Sequence, residues 1–318
     1  MTEDEIQHPH DRLFRAAFSD PATAAAFLKA YLEPALAASV DWSSLRVEEG
    51  SFIDSQLKTS EADLLFTAKI QGENAHFYFL CEHQSSEDAF MALRVLAYMV
   101  RIWTKESRAV PRPAHLTPII PVVVAQDDKL WKTSPKFHAL FSLPLDKWEQ
   151  VRAYMPDFSF RLVQLVELSF DSIAGTADGR LALRALKAQA IGKLLEDAVW
   201  DPELLRMVSA EVLDYLIRYV WNQDVDKEGF GLRLKELPRT DLNPETMTLA
   251  QRIREEGREE GREEAMRQAI RALLEVRFGE VPPGLNEELL HVRDMNRLDS
   301  IHRSAIRCAS LEDFASVL

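Results

Sequence analysis

The chain has 318 residues, a formal net charge of −13, 47% hydrophobic residues and 28% charged residues, which is typical of a globular protein with one large domain or two smaller ones. The polar N-terminus argues against a secretory signal, no apolar run approaches the roughly 20 residues that span a bilayer, and two cysteines form no disulfide framework. We therefore expect a cytoplasmic protein without a membrane segment. The acidic balance argues against general nucleic-acid binding but is compatible with one local basic patch.

Helical and strand patterns alternate in the first 126 residues. Ser19, Asp20 and Pro21 supply a cap and a first-turn proline for the second of these helices. The predicted elements are a helix over 10–18, a helix over 22–32, a short ambiguous strand over 51–57, strands over 62–70 and 75–82, a helix over 90–103 and a strand over 117–126. This order predicts a layered α/β or α+β core.

Beyond Trp131 the patterns are mainly helical, with runs over 180–199 and 202–221. A stretch rich in glycine and proline, 229–244, indicates a boundary. After it, residues 252–264 repeat Arg-Glu-Glu-Gly and contain four arginines and six glutamates. The repeat predicts either a solvated helix with i,i+4 ion pairs or a partly frayed linker. Its glycines, Gly257 and Gly261, each cost about 1 kcal/mol of helix stability, and their spacing permits close approach of another helix.

Two carboxylates fall on the predicted hairpin. If its turn is centred on Gly72–Glu73, paired residue numbers add to 145, and Asp63 then lies directly opposite Glu82. Gln84, two residues further on, points to the same face if the strand continues. Opposed carboxylates on apolar strands repel, and a shared divalent cation removes that penalty. The pattern thus favours metal-assisted phosphodiester chemistry.

Simpler structural roles stay open for the same residues. An aspartate where a strand begins is commonly a turn or cap residue, and a glutamate at a strand end often marks where the strand meets water. A register slip of one residue would also place the two carboxylates on opposite faces. Cys81 is more simply a core residue and His83 a packed imidazole, because no further zinc ligands have suitable spacing.

Asp, a hairpin and then Glu-x-Lys form the signature of the PD-(D/E)xK nuclease superfamily, in which Gln can replace Lys. More specifically, the chain resembles the Rpn family of recombination-promoting nucleases, also described as YhgA-like transposases. The resemblance runs in order over about residues 8–126 through HDRLFRAAFSDPATAAAFLKAYL, SFIDSQLKTSEADLLFTAKI, LCEHQSSEDAFMALRVLAYMVRIW and TPIIPVVVA. One departure is Ala125-Gln126-Asp127, where relatives typically have Tyr-His-Gly.

The resemblance implies that Asp63 and Glu82 hold Mg²⁺, or alternatively Mn²⁺ or Ca²⁺, and that Gln84 stands in the position usually filled by lysine. The family's N-terminal acidic position maps best onto Asp11, and Asp54 is a further acidic candidate. A glutamine cannot accept a proton at neutral pH, so we expect Gln84 to orient a water molecule or a phosphate oxygen.

Basic residues follow the candidate site. Arg94, Arg101 and Lys105 lie on the helix after it, with Arg108 and Arg112 beyond. They are candidates for contacts to the DNA backbone, and a solvated basic helix face is the alternative. Tyr98 and Trp103 are more simply core residues than base-stacking platforms.

We therefore expect an α/β fold with a restriction-endonuclease-like (PD-(D/E)xK) core, a mixed sheet flanked by helices, over 8–130. A helical extension of that domain follows over 131–240, and a charged helical tail over 245–318. The expected function is that of a Mg²⁺-dependent DNA endonuclease that promotes recombination or acts in defence against mobile elements and phage, with DNA as partner and a homo-oligomer formed through the tail. A nuclease-fold protein without efficient cleavage, acting through its tail, is the first alternative, and a metal-independent DNA-binding module is the second.

Overall fold

The computed structural model describes residues 9–48, 64–82, 87–142, 144–237, 244–279, 281–292, 294–315 and 317–318, and of residues 78–82, 145, 244–260, 283 and 287 it describes only the backbone. These residues form two compact units. The first extends to Asp224, and the second consists of Val225–Leu237 and Pro244–Leu318.

A five-stranded mixed sheet forms the centre of the first unit. Its strands are β1 (Val40–Val47), β2 (Leu64–Ile70), β3 (Glu73–Glu82), β4 (Ile119–Ala125) and β5 (Arg161–Gln164), and they lie in the order β1-β2-β3-β4-β5. β2 is antiparallel to both β1 and β3, whereas β4 runs parallel to β3 and β5 parallel to β4. The sheet is thus the mixed sheet that the sequence predicts.

Helices flank this sheet. They are α1 (Pro9–Phe18), α2 (Pro21–Tyr31), α3 (Pro34–Ser39), α4 (Met91–Glu106), α5 (Leu145–Val151), α6 (Ala177–Ala190), α7 (Pro202–Met207) and α8 (Ala210–Trp221). Helix α4 buries Val95 and Met99 against Leu65 and Val123 of the sheet, while α1, α6 and α8 pack against one another. The Asp20 carboxylate accepts a hydrogen bond of 2.9 Å from the Thr23 amide, which confirms the predicted cap of α2.

The turn between β2 and β3 differs from the prediction by one residue. Ile70 pairs with Glu73, so the two loop residues are Gln71 and Gly72, and paired numbers add to 143 rather than 145. Gln71 and Gly72 have φ angles of 52° and 93°, as a type I′ turn requires at both central positions. The predicted centre, Gly72–Glu73, is therefore wrong, because the twist of the strands favours a turn with glycine second.

Two of the strands, β1 and β5, are not predicted from the sequence. Strand β1 lies where no strand was predicted, and β5 lies inside the segment predicted to be a helical extension. β5 has four residues, too few for a periodic pattern, and its conformation depends on pairing with β4. The predicted strand 51–57 lies outside the described residues. The helical run 202–221 is broken between α7 and α8, where the Ser209 hydroxyl caps α8.

The second unit has its own core and consists of helices in its described part. These helices are α9 (Lys227–Lys235), α10 (Pro244–Phe278), α11 (Pro283–Leu290), α12 (Met295–Arg307) and α13 (Leu311–Ala315). Ile270 and Leu274 of α10 pack with Leu298 and Ile301 of α12 and with Phe314. None of the helices in the described ranges is long and apolar enough to cross a membrane.

The Arg-Glu-Glu-Gly repeat is part of continuous helix, since α10 runs from Pro244 to Phe278. Of the two interpretations of the repeat, the helix is confirmed. Helix α9 packs against α10, and a Cβ atom placed on Gly261 would come within 2.9 Å of the Glu228 carboxylate. The predicted close approach of a second helix is therefore present at this glycine.

A buried histidine joins β2 to β3. Nδ1 of His76 lies 2.8 Å from the hydroxyl oxygen of Thr67, the residue opposite it in the ladder. Burial lowers the pKa of His76 below its usual value, because the charged ring would lose its hydration there, and the nearby carboxylates of Glu48 and Glu106 oppose this effect without cancelling it.

We expect His76 to make the free energy of unfolding fall as the pH decreases below about 6.5. The folded pKa is the lower one, so its contribution is complete above the unfolded pKa and is lost as the pH falls toward the folded pKa. The loss is about 1.4 kcal/mol for each unit between the two pKa values. Urea unfolding at several pH values measures it. His76→Gln should flatten this dependence, whereas His115→Gln, at an exposed position, should not. The same slope in His76→Gln as in the parent would contradict the assignment.

Candidate functional site

Three parallel strands end together at one edge of the sheet. Glu82, the last residue of β3, is aligned with Ala125 of β4, and Ala125 is aligned with Gln164 of β5. In open α/β sheets, ligands bind at the carboxyl ends of the parallel strands. This edge is therefore the candidate functional site, and the polar residues that follow each strand are its candidate side chains.

Of the predicted site residues around the hairpin, only Glu82 belongs to the described part of the chain. The backbone of Glu82 lies there, whereas Asp63, Gln84, His83 and Asp54 lie outside the described residues. The observed ladder has the sum 143, so the number opposite 82 is 61. The direct pairing of Asp63 with Glu82 was predicted from a turn centred on Gly72–Glu73. Because the observed turn is Gln71–Gly72, that basis for the pairing is absent.

Asp11 lies next to His10, and His10 contacts the residue that follows β4. His10 and Asp11 are buried in the first turn of α1, and Nδ1 of His10 lies 3.2 Å from the amide nitrogen of Gln126, the residue directly after β4. The Tyr219 hydroxyl lies 2.8 Å from the same nitrogen of His10. Tertiary contacts thus bring the start of α1 to the end of β4, although the predicted catalytic role of Asp11 stays a prediction.

Gln126 links three parts of the fold. Besides His10, its amide nitrogen contacts the carbonyl oxygen of Leu186 at 3.0 Å and the side-chain oxygen of Gln189 at 2.9 Å. Its own side-chain carbonyl oxygen is buried and has no hydrogen-bond partner among the described residues. Since an amide nitrogen only donates and carries two hydrogens, the oxygen atoms of Leu186 and Gln189 determine its orientation. Gln126 thus holds α1 and α6 to β4.

Asp127 organises the loop that follows β4. Its carboxylate accepts hydrogen bonds from the indole nitrogen of Trp131 at 2.9 Å and from the Lys129 amide at 3.1 Å. Burial alone raises the pKa of Asp127, but the hydrogen bonds from Lys129 and Trp131 outweigh it, so the pKa lies below its usual value. Gln164 accepts from the Trp131 amide at 2.6 Å. Asp127 and Gln164 therefore fix Trp131 beside the strand ends.

Hydrogen bonds and an ion pair hold Glu87 and Asp88, which lie just before α4. Glu87 accepts hydrogen bonds from the amide and the hydroxyl of Thr133, and the hydroxyl bond is the main cause that lowers the pKa of Glu87. Asp88 accepts from the Phe90 amide at 2.8 Å and forms an ion pair with Arg94 at 3.7 Å. These contacts attach the start of α4 to the loop after β4.

The predicted DNA-contacting residues lie on α4. Arg101 and Lys105 are exposed, with the Arg101 guanidinium 6.0 Å from the Tyr98 ring, and Arg94 is partly engaged by Asp88. Tyr98 is buried, as predicted. The indole of Trp103 donates to the carbonyl of Thr117 at 2.8 Å, which ties it to the fold.

Four residues at this edge are not predicted from the sequence: His10, Gln126, Asp127 and Gln164. The one signal available was position, because polar residues that directly follow parallel strands gather at one edge. Among the described residues, no three His, Cys, Asp or Glu side chains are grouped so that they could hold a metal ion. The side chains of Asp63 and Glu82, the predicted metal ligands, lie outside that description.

Comparisons with known proteins give the family. Residues 8–212 match the family described as "Putative transposase, YhgA-like". The "Putative inactive recombination-promoting nuclease-like protein YjiP" of Escherichia coli K12 is 34% identical over 102 residues, which are 32% of this chain and 99% of that protein. No solved structure matches the chain.

Two further relatives differ in how much they cover. The "Recombination-promoting nuclease RpnD" of Escherichia coli O157:H7 is 34% identical over 32% of this chain, which spans 39% of RpnD. The "Inactive recombination-promoting nuclease-like protein RpnE" of strain K12 is 27% identical over 81% of this chain and 85% of RpnE. The chain therefore belongs to the YhgA-like transposase family, together with recombination-promoting nucleases and relatives that are named inactive.

Proposed function

We propose that this chain is a metal-dependent endodeoxyribonuclease of the recombination-promoting type. The observation that carries the proposal is the common edge at which β3, β4 and β5 end, with Glu82 as the last residue of β3. Relatives named nucleases support it. The antiparallel strands β1, β2 and β3, followed by α4 and the parallel strand β4, are compatible with a restriction-endonuclease-like core.

Asp63 and Glu82 are the proposed metal ligands. If β2 continued by one residue in the observed register, position 63 would face Leu80 and would be a diagonal neighbour of Glu82. Diagonal neighbours are on one face and roughly 7–8 Å apart, a spacing that two carboxylate side chains can close to share an ion. Carboxylate oxygens are the donors that Mg²⁺, Mn²⁺ and Ca²⁺ prefer.

When bound, the ion would polarise the phosphate and lower the pKa of a bound water molecule. The other residues of the proposed site orient the reactants. Gln84 donates a hydrogen bond to the water molecule or to a phosphate oxygen, since it cannot take up a proton. Asp11 supports the same edge from α1, and Arg101, Lys105 and Arg94 contact the phosphate backbone without reading base sequence.

Incubation of the purified chain with supercoiled plasmid tests the proposal. We expect nicked and linear products with Mg²⁺ or Mn²⁺ and none with EDTA, because the ion held by the two carboxylates would polarise the phosphate and activate the water molecule. A DNA-binding measurement in Ca²⁺ accompanies the assay. Cleavage that is equal with and without divalent ions would contradict the proposed metal site.

A second function is favoured by the relatives. RpnE, which matches 81% of this chain, is named inactive, and YjiP is also named inactive. If this chain is inactive as well, it binds DNA without cutting it, and its second unit binds a partner or a second copy. Intact DNA binding without cleavage in the plasmid assay would select this function, and light scattering of the purified chain would show the expected homo-oligomer.

A further inference from the structure

The outward face of α4 carries an apolar stripe. Phe90, the residue directly before α4, and Leu93, Ala97 and Val100 on α4 are spaced by three, four and three residues, which are the intervals between a and d positions of a heptad. Phe90, Leu93 and Val100 are 62%, 50% and 48% exposed, and Ala97 is also exposed. We call these four residues the α4 stripe. The opposite face of α4 packs on the sheet, so the stripe is not part of the core.

Exposed large apolar side chains are concentrated in the part of the sequence that contains this stripe. Of the thirteen large apolar residues that are exposed in the described part of the chain, five lie between residues 90 and 116. Leu116 belongs to this set and precedes Thr117, whose carbonyl binds the Trp103 indole on α4. Contiguous exposed apolar surface in a globular protein commonly marks a binding site.

A row of cations runs beside the stripe. Arg94 and Arg101 are seven residues apart on α4, which is one flanking position of the same heptad. Lys105 follows near the end of α4, and Arg108 lies just after the helix. Glu106 is the only acidic residue from 91 to 112, and its carboxylate accepts from the Thr117 amide at 3.1 Å. A chain with a net charge of −13 therefore presents a positive flank here.

This charge pattern selects the partner. Flanking charges choose the partner and orientation of paired helices. A second copy in antiparallel orientation would set Arg94 opposite Arg101 of its partner, and a parallel copy would offer Leu96 and Trp103 to the arginines. Neither orientation supplies a carboxylate. A DNA backbone would satisfy the arginines but would leave the apolar side chains in water.

We propose that the α4 stripe and its arginine row bind an acidic amphipathic helix of a partner protein. The apolar residues of that helix cover Leu93 and Val100, and its glutamate or aspartate residues face Arg101 and Arg108. This mode is a helix-in-groove interaction with charge complementarity at its rim. It concerns a surface on the outside of α4 and does not depend on whether the strand edge cleaves DNA. It uses Arg101, which the proposed function places against the phosphate backbone, so the partner helix and DNA would compete for this residue.

A labelled model peptide tests the proposal on the full-length chain. The probe has about three heptads with leucine at a and d and glutamate at the flanking positions, and a scrambled peptide of equal composition is its control. Fluorescence anisotropy should show binding of the probe but not of the scrambled peptide. The double variant Leu93→Ser, Val100→Ser should weaken it about tenfold or more, as Arg101→Glu should. Met207→Ser, another exposed apolar residue, should bind like the parent.

The variants separate the competing partners. No binding of the probe by the parent, or equal binding of the scrambled peptide, would overturn the proposal. So would binding that Arg101→Glu weakens and the double serine variant does not, because that pattern is expected for contact with an anion such as a phosphate backbone. Duplex DNA is measured beside the peptide for this reason. Arg101→Glu alters no buried residue and keeps the test valid if the double variant unfolds.

Discussion

Replacing Glu82 by alanine is expected to lower the rate of Mg²⁺-dependent plasmid nicking by about a hundredfold or more. A metal ion contributes several kcal/mol to stabilising charge in the transition state, and each 1.36 kcal/mol is a factor of ten in rate. Loss of one of two ligands removes most of that contribution. Asp63→Ala should have the same effect, because both carboxylates belong to the same proposed ion site.

The same strand offers a matched control. Glu73, the first residue of β3, is exposed beside the turn at the opposite edge of the sheet. Glu73→Ala should therefore nick plasmid at the parental rate. Glu82→Gln keeps the size of the side chain and removes its charge, so it should resemble Glu82→Ala. Parental nicking by Glu82→Ala would refute the assignment of this residue.

A thermal measurement gives a second readout that does not depend on cleavage. A ligand that binds only the folded chain raises its unfolding temperature, so Mg²⁺ or Mn²⁺ should raise that of the parent and not that of Glu82→Ala. Without the ion, the alanine variant should be no less stable than the parent, because it removes a like-charge neighbour of Asp63. A clear loss of stability without metal would instead indicate a structural role for Glu82.

Replacing Arg184 by methionine is expected to lower the free energy of unfolding by about 2–4 kcal/mol. Arg184 is 3% exposed and lies on α6. Its guanidinium donates to the carbonyls of Phe170 at 3.1 Å and Ala198 at 2.9 Å, and it forms ion pairs with Asp171 at 3.6 Å and Asp201 at 3.5 Å. Methionine keeps the apolar stem and leaves these carbonyls without their donor.

An exposed arginine on the same unit is the control for this prediction. Arg152 also forms two ion pairs, with Glu149 at 3.6 Å and Asp157 at 3.3 Å, but its side chain is 56% exposed. Arg152→Met should therefore cost less than about 1 kcal/mol, since solvent screens exposed pairs. Urea unfolding of both variants measures the difference. Equal and small losses would show that burial of Arg184 adds nothing.

Local signals were sufficient for the long elements of the first unit. The apolar periodicity of α1 and α4, the Asp20-Pro21 start of α2 and the apolar runs of β2, β3 and β4 are properties of neighbouring residues, and these elements lie within a few residues of their predicted bounds. The turn was missed by one residue because Gly72 suits either loop position by composition. Only the twist of the paired strands selects the type I′ turn.

Long-range partners could not be predicted in the same way. β1 and β5 were missed because their conformation depends on pairing with β2 and β4, which local pattern does not report. Gln126 is an ordinary polar residue by sequence. Its role follows from His10, 116 residues away, and from Gln189, 63 residues away.

By itself, the sequence determined the order of the central elements, the polar end of β3 at Glu82 and the resemblance to recombination-promoting nucleases, since each depends on residue types at short spacing. The tertiary structure decided which strand ends meet, that α1 reaches the end of β4, and that the arginines of α4 flank an exposed apolar stripe. Packing of the sheet and burial of polar groups determine these contacts, because a buried donor or acceptor needs a partner wherever the chain can supply one.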